Sequence, residues 1–273
     1  MSYADPAASP TVAALLSLKG RTALVVGGAG LLGSEISFAL AEQEATVIMA
    51  GRDAGRCHHR ADEIMQKMPG ARARGLNMDI TKPDSIRAGV EEAARLTGGF
   101  HILVNCGWSG RKNTFESITD EDWDRDIEVS LNGVFRTIKA AVPVLATRNG
   151  VILNIASMYG VVAPDPGLYD SSKFANPPSY GAAKAGIVQL TRYLAAFLAP
   201  QGIRVNCISP GPFPYETTQV ENPEFIKRLA AKNPLGRIGR PHELKGVAVL
   251  LCSDASSYMT GQNVSVDGGW TVW

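Results

Sequence analysis

The sequence predicts a single α/β domain, a doubly wound parallel sheet with helices on both faces. Short β-branched and aliphatic runs alternate with amphipathic stretches along nearly the whole chain, the order that builds successive βαβ units. The first run, Thr22 to Val26, ends in a cluster of glycines that opens a helical pattern. No repeat, linker or change of composition divides the 273 residues, and 45% hydrophobic residues with 28 glycines suffice for one large core.

Met1 to Ser17 is rich in alanine, proline and serine and reads as a flexible leader, so the domain proper spans 18–273. The strand Thr22 to Val26 feeds Gly27-Gly28-Ala29-Gly30-Leu31-Leu32-Gly33 and then a helix through Ile36, Leu40 and Ala41. Strand, glycine turn and helix N-terminus make a cradle for pyrophosphate: backbone N–H groups and the positive end of the helix dipole face the anion, and missing Cβ atoms let it approach. A second strand, Ala45 to Ala50, completes the unit and makes this a Rossmann-type, dinucleotide-binding arrangement with Gly27, Gly30, Leu32 and Gly33 at the cofactor. An acidic residue after that strand would bind the ribose 2′-hydroxyl and repel a 2′-phosphate. Here Gly51 is followed by Arg52, which favours NADP(H) over NAD(H). Arg56, His58, His59 and Arg60 either deepen the positive site or form a solvated helix face.

A helix over about 54–67 leads to a strand near 74–78, with Asp79 and Ile80 beyond its carboxyl end, where the ligands of an open parallel sheet gather. Asp79 is placed to accept a hydrogen bond from adenine, or else to close a turn before Thr81. After a helix over about 83–96, the strand Ile102 to Asn105 ends in Cys106-Gly107-Trp108; Asn105 can tie neighbouring loops over the cofactor, with Gly107 beside it. Thr119 caps a long helix with Asp120, Glu121 and Asp122 in its first turn, and this helix carries Ser130 to Gly133 inward. Gly150 to Ile155 reads as a strand buried on both faces, with Ser157 past its end, positioned to hold a substrate oxygen.

Pro164, Pro166, Pro177 and Pro178 then break the pattern, making 161–179 an insertion loop of the length usually kept for function. A helix Tyr180 to Leu198, a strand Ile203 to Ile208 and the turn Pro210-Gly211-Pro212-Phe213 come next. Residues 212–235 read as a mobile substrate lid with Phe225, Ile226 and Leu229 at helical spacing. Pro241 opens a helix that buries Leu244, Val247, Ala248 and Leu251, and the strand Asn263 to Asp267 closes on Gly268-Gly269-Trp270.

Charge and cysteine usage exclude several classes. With 27 basic and 26 acidic residues the net charge is +1, which gives no field to draw in nucleic acid. Cys57, Cys106, Cys207 and Cys252 form no C-x-x-C pair, and the four histidines complete no ligand set, so neither a disulfide framework nor a metal is expected. The apolar run Val12 to Leu16 is too short to span a membrane, which leaves the cytoplasm as the expected location.

The chemistry is expected at Tyr180-Gly181-Ala182-Ala183-Lys184, where a four-residue helical step puts phenol and ammonium on one face. A phenol ionises near pH 10, but a cation fixed close by favours the phenolate, so Tyr180 is expected to be unusually acidic. Tyr169 to Lys173 has the same spacing; Asn176, Pro177 and Pro178 after it would end any helix there.

In this order the glycine turn, Asp79, Asn105, Ser157, Tyr180 with Lys184, Gly202-Ile203-Arg204-Val205-Asn206, Pro210-Gly211 and Asp267-Gly268-Gly269 resemble the short-chain dehydrogenase/reductase family over nearly everything after Leu18. The segment from Ala185 to Pro210 looks like the one that comes after the family's catalytic tyrosine, although the interval from Ser157 to Tyr180 is longer than usual and that to Tyr169 is not. The resemblance implies that Ser157 holds the substrate oxygen and Tyr180 exchanges its proton. Lys184 would bind the nicotinamide ribose, and Pro210, Gly211 and Phe213 would wall the nicotinamide. It also implies a homo-oligomer, a dimer or tetramer, for which the last helix, Trp270 and Trp273 are candidate interface material if they do not simply finish the core.

Three departures stand out. The glycine spacing resembles the family's sugar-nucleotide branch; Ser130 stands where the family often has a water-holding asparagine, with Asn132 facing elsewhere; Tyr215 replaces a threonine for the carboxamide. The expected activity is NADP(H)-dependent exchange between a ketone and a secondary alcohol. A non-catalytic NADP(H) sensor and a sugar epimerase or dehydratase are its rivals. Specificity is expected in the insertion around Tyr169, for either a polyol-like or an apolar small-molecule substrate.

Overall fold

Seven parallel strands take the order β3-β2-β1-β4-β5-β6-β7, so the chain winds outward in one direction from β1 and then in the other from β4. They are β1 (Thr22–Val26), β2 (Thr46–Gly51), β3 (Arg72–Asn77), β4 (Ile102–Asn105), β5 (Val151–Ile155), β6 (Arg204–Pro210) and β7 (Asn263–Val266). The helices are α1 (Val12–Leu16), α2 (Leu31–Glu42), α3 (Ala54–Lys67), α4 (Pro83–Thr97), α5 (Asp120–Ile127), α6 (Gly133–Ala146), α7 (Pro178–Leu198), α8 (Glu216–Glu221), α9 (Pro223–Ala231) and α10 (Lys245–Cys252). This computed structural model describes residues 9–108, 110, 112–169 and 176–273.

Alternation along each strand divides the core in two. Leu24, Ile48, Leu103 and Ile152 face α4, α6 and α7 through Ile86, Ile138 and Ile187. Their neighbours Val25, Val47, Met49 and Val104 face α2, α3 and α10 through Ile36, Leu40, Ile64 and Leu251. A strand covered on both faces has little reason to carry polar residues, which is why these runs are mainly aliphatic; Asn105 and Asn154 are exceptions that bond to each other. The edge strand β3 is the exception: Arg72 and Arg74 are exposed and Ala73 and Gly75 buried, so it begins two residues before the expected 74 and ends at Asn77.

Other differences are local. The leader is ordered by Val12, where Thr11 caps α1 by accepting from the Ala14 N–H at 3.2 Å, and Leu18 is fully buried. The long helix begins at the Thr119 cap, but one π turn, Glu128–Asn132, separates α5 from α6. The run Asp120–Ala146 is long and apolar enough to cross a bilayer by length and composition. Its apolar face, Val134, Ile138, Ala141 and Leu145, is instead packed into the core. The insertion contains a 3₁₀ turn, Pro166–Leu168, and α7 starts at Pro178 rather than Tyr180, proline being compatible with the first helical turn. The first turn opened by Pro241 is also 3₁₀.

Candidate active site

The winding reverses between β1 and β4, and ligands of such sheets bind outside the carboxyl ends of the strands at that point. There the protein has a cleft of about 820 Å³. Its floor is the glycine turn. Gly27 has φ +76°, and a Cβ there would lie 2.8 Å from the backbone of Cys106 and Gly107; at Gly33 a Cβ would lie 2.2 Å from the Gly27 carbonyl oxygen. The turn is therefore as tight as bare backbone permits, with the start of α2 open to the cleft, the arrangement that suits a pyrophosphate. Gly27, Gly30, Leu32, Gly33, Arg52, Ile80, Gly107, Pro210, Gly211 and Phe213 all line it.

Arg52 lies at one end, its carbonyl held by the Asn77 amide at 2.9 Å and its side chain exposed. Arg56 joins it on the wall. His59 and Arg60 do not: both pair with Glu63, at 3.4 and 2.6 Å, the solvated-face alternative, and His58 is exposed outside the cleft. Asp79 takes the turn role. Its Oδ1 accepts from the Thr81 N–H and hydroxyl at 3.0 and 2.7 Å, bonds that outweigh burial and hold the carboxyl below its usual range, while Ile80 and Thr81 face the cleft. Asn105 corrects another expectation. It is buried beneath the cleft and ties strands rather than loops, donating to Asn154 Oδ1 at 2.9 Å, and Asn154 donates in turn to Thr191 Oγ1 at 3.0 Å.

Ser157, Tyr180 and Lys184 meet at the other end. Ser157 lies just past β5, its Oγ accepting the Tyr159 N–H at 3.1 Å. α7 is fixed on two sides: Ser179 donates to the buried Asp126 of α5 at 2.6 Å, and Lys184 Nζ donates to the Ile155 carbonyl at 2.8 Å. These bonds set the height of Tyr180 above the sheet. The electrostatics reverse the expected acidity. Burial pushes the Tyr180 phenol up, a hydrogen bond with Ser157 offsets this only in part, and the neighbouring Tyr169 and Cys106 push it further up. Lys184 does not counter this, because its Nζ lies 5.8 Å from the phenol ring centre and burial pushes its own pKa down to about 8. In the protein alone Tyr180 is a protonated acid.

Ser130 does not line the cleft. It is buried in the π turn, and its Oγ has no partner among the described residues, whereas the Asn132 amide is committed to Glu128 Oε2 at 2.9 Å. Tyr169 does line the cleft but in no helix, its hydroxyl 2.5 Å from that of Tyr159; Lys173, the other half of that spacing, lies outside the described residues. Sequence reasoning missed Trp108, whose ring meets Tyr180 edge-on at 5.5 Å, and also Tyr159; Asn176, a polar insertion residue suited to a hydroxylated substrate, lines the cleft as well. Tyr159 stands two residues beyond Ser157, a position the serine itself could have flagged. In the lid, α9 buries Phe225 and Leu229 against Met158, Tyr159, Leu168 and Trp270. Trp270 therefore finishes the core, while Trp273 is exposed.

The family profile described as enoyl-(acyl carrier protein) reductase matches residues 28–271. The 3-oxoacyl-(acyl-carrier-protein) reductase FabG of Aquifex aeolicus is 32% identical over 255 residues, covering 93% of this chain and 98% of its own. Galactitol 2-dehydrogenase (L-tagatose-forming) of Cereibacter sphaeroides is 34% identical over 259 residues, 94% and 97% of the two chains. A gluconate 5-dehydrogenase from Burkholderia cenocepacia, solved with NADP and tartrate, superposes with a TM-score of 0.87 at 28% identity, covering 96% of this chain and 100% of that one. The strand order, the glycine turn and this breadth of similarity have one conclusion: the chain belongs to the short-chain dehydrogenase/reductase family of oxidoreductases.

Proposed function

We propose that the protein is an NADP(H)-dependent oxidoreductase that interconverts a ketone and a secondary alcohol, with Tyr180 as general acid and base. The observation that carries this is convergence: the glycine turn and the group Ser157, Tyr180 and Lys184 open on the same cleft. Bound there, the nicotinamide cofactor supplies or accepts the hydride. Ser157 and Tyr180 would hold the substrate oxygen, and Tyr180, kept protonated by burial, gives that oxygen its proton as the carbonyl is reduced. Lys184, anchored on Ile155, would hold the nicotinamide ribose. Ser130 is the residue left to hold a relay water, since Asn132 is committed to Glu128.

Arg52 is the basis for NADP(H), and the gluconate 5-dehydrogenase solved with NADP supports it. Substrate names among the relatives range from acyl carrier protein to galactitol, so they support the reaction rather than the substrate. NADPH oxidation is expected against a panel of ketones, and Arg52→Ala is expected to cut the preference for NADPH over NADH by about tenfold, the effect of removing one charge-assisted contact to the 2′-phosphate. Equal affinity for both cofactors with no change in Arg52→Ala contradicts the cofactor assignment; cofactor binding without turnover on any carbonyl points to a sensor instead.

The pH profile is set by Lys184. Because burial lowers its pKa to about 8, it is charged below that pH and neutral above. The kcat/KM for NADPH, which reports groups of the free enzyme, is expected to hold up to about pH 8 and to fall above it; a profile flat to pH 10 contradicts this role. We also infer a cytoplasmic homo-oligomer. The stacked Tyr193 and Phe197 on α7, each 61% exposed, give it apolar surface to bury, and light scattering reads the assembly.

A further inference from the structure

The substrate end of the cleft has a chemistry of its own. Tyr169 packs against Phe225 at 5.9 Å between ring centres, Tyr159 packs edge-on against Trp270 at 6.2 Å, and Trp108 stands beside Tyr180. Aromatic rings of this kind bind the C–H faces of a compact ring better than they bind a long flexible chain, because a rigid ring loses little conformational freedom on stacking. The polar groups there are few and already joined. The Tyr159 and Tyr169 hydroxyls bond each other at 2.5 Å, and Asn176 also hydrogen-bonds the Tyr169 side chain. Among the described residues Asn176 Oδ1 is buried with no hydrogen-bond partner, so the amide nitrogen is the group that donates to Tyr169. Among the described residues this leaves the Asn176 acceptor on the cleft wall, beside the tyrosine pair. A substrate that displaces water from this end must bring a donor to Asn176 or leave it unmet, and a site built around such an acceptor rejects an analogue that lacks the donor.

We propose that Tyr169 and Asn176 select a saturated ring alcohol or ketone bearing a second hydroxyl, which donates to Asn176 Oδ1 while the ring lies against the aromatic wall. A carbocycle and a pyranose share this chemistry. The proposal rests on the oxidoreductase reading above: with the Tyr180 proton first lost to solvent, the reacting carbinol would pass its hydroxyl proton to the Tyr180 phenolate and hydride to bound NADP⁺, giving the ring ketone.

The test measures NADP⁺ reduction by the full chain with the cyclohexanediol isomers, cyclohexanol, a methyl hexopyranoside, a tetrahydropyranol and an open-chain hexanediol. Reduction of a 3-oxoacyl thioester is measured beside it. The best cyclohexanediol should exceed cyclohexanol, or the pyranoside should exceed the tetrahydropyranol, by about tenfold or more in kcat/KM, and should exceed the open-chain diol as well. Which pair shows the excess identifies carbocycle or sugar. Asn176→Ala and Tyr169→Phe should each bring that ratio toward one, and because it is a ratio within one variant, partial loss of folded protein cancels. A ratio near one in the unmodified protein, or a ratio unchanged in both variants, overturns the proposal. A 3-oxoacyl thioester turned over better than any ring also overturns it but leaves the oxidoreductase reading standing, whereas no turnover on any substrate removes both.

Discussion

Replacing Tyr180 with phenylalanine is expected to lower kcat by about 10²–10⁴-fold, the usual worth of a positioned proton donor. The substitution removes one hydroxyl from a ring already packed edge-on against Trp108, so the fold has little to lose. Only the group that meets the substrate oxygen is lost. Tyr169→Phe should cost less, since the Tyr169 hydroxyl is engaged with Tyr159 and its backbone leaves a 3₁₀ turn rather than lying in a helix one turn from a lysine. A larger loss in Tyr169→Phe than in Tyr180→Phe would reverse the assignment. Burial also determines the sense in which Tyr180 works. A phenol held protonated is ready to give its proton to a carbonyl oxygen, so reduction needs no prior loading step, whereas alcohol oxidation needs an added positive charge near the ring to favour the phenolate.

Gly33→Ala is expected to have the next largest effect. Its Cβ would lie 2.2 Å from the Gly27 carbonyl oxygen and 2.9 Å from the carbonyl carbon, both backbone atoms that no rotamer change can move aside. The turn must widen, which carries the first N–H groups of α2 away from where a pyrophosphate would sit. With a strain of about 2–3 kcal/mol expressed in the turn, NADPH affinity falls by about 30- to 150-fold. Gly246→Ala is the control, because a Cβ there meets nothing within 4 Å and α10 accepts alanine readily. Fluorescence titration with NADPH separates the two variants. A dissociation constant within about threefold of the parent for Gly33→Ala would mean that the turn is looser than its contacts indicate.

Much of the fold was legible because the buried strands announce themselves. Runs such as Ala23-Leu24-Val25-Val26 and Ile152-Leu153 are aliphatic on both faces for the physical reason that helices cover both faces. Where an element has one free edge or a local irregularity the signal fails. β3 hid its start behind Arg72 and Arg74, and nothing in Glu128 to Asn132 marks a π turn, since its residues are ordinary helix formers and the extra residue is accommodated by packing.

The site was legible in its positions and less so in its energetics. The helical step from Tyr180 to Lys184 was readable, but whether a cation acidifies a phenol depends on what else the cation touches and on how much water reaches the ring. Lys184 turned to the Ile155 carbonyl and both groups were dried, so desolvation outweighed attraction. Asp79 was expected to meet adenine or else to close a turn, and its Oδ1 closes the turn before Thr81; Asn105 was expected to tie loops, where its amide makes a cross-strand bond instead. Trp108, Asn176 and Phe225 come to the cleft from three distant segments, and no local pattern brings such residues together.

The most direct measurement uses NADPH carrying deuterium at both C4 positions, turned over with a ketone that the protein accepts. Hydride transfer predicts one deuterium on the carbinol carbon of the product for each NADPH oxidised, and loss of this product in Tyr180→Phe. A product without label on that carbon, or NADPH consumed with no alcohol formed, would contradict it.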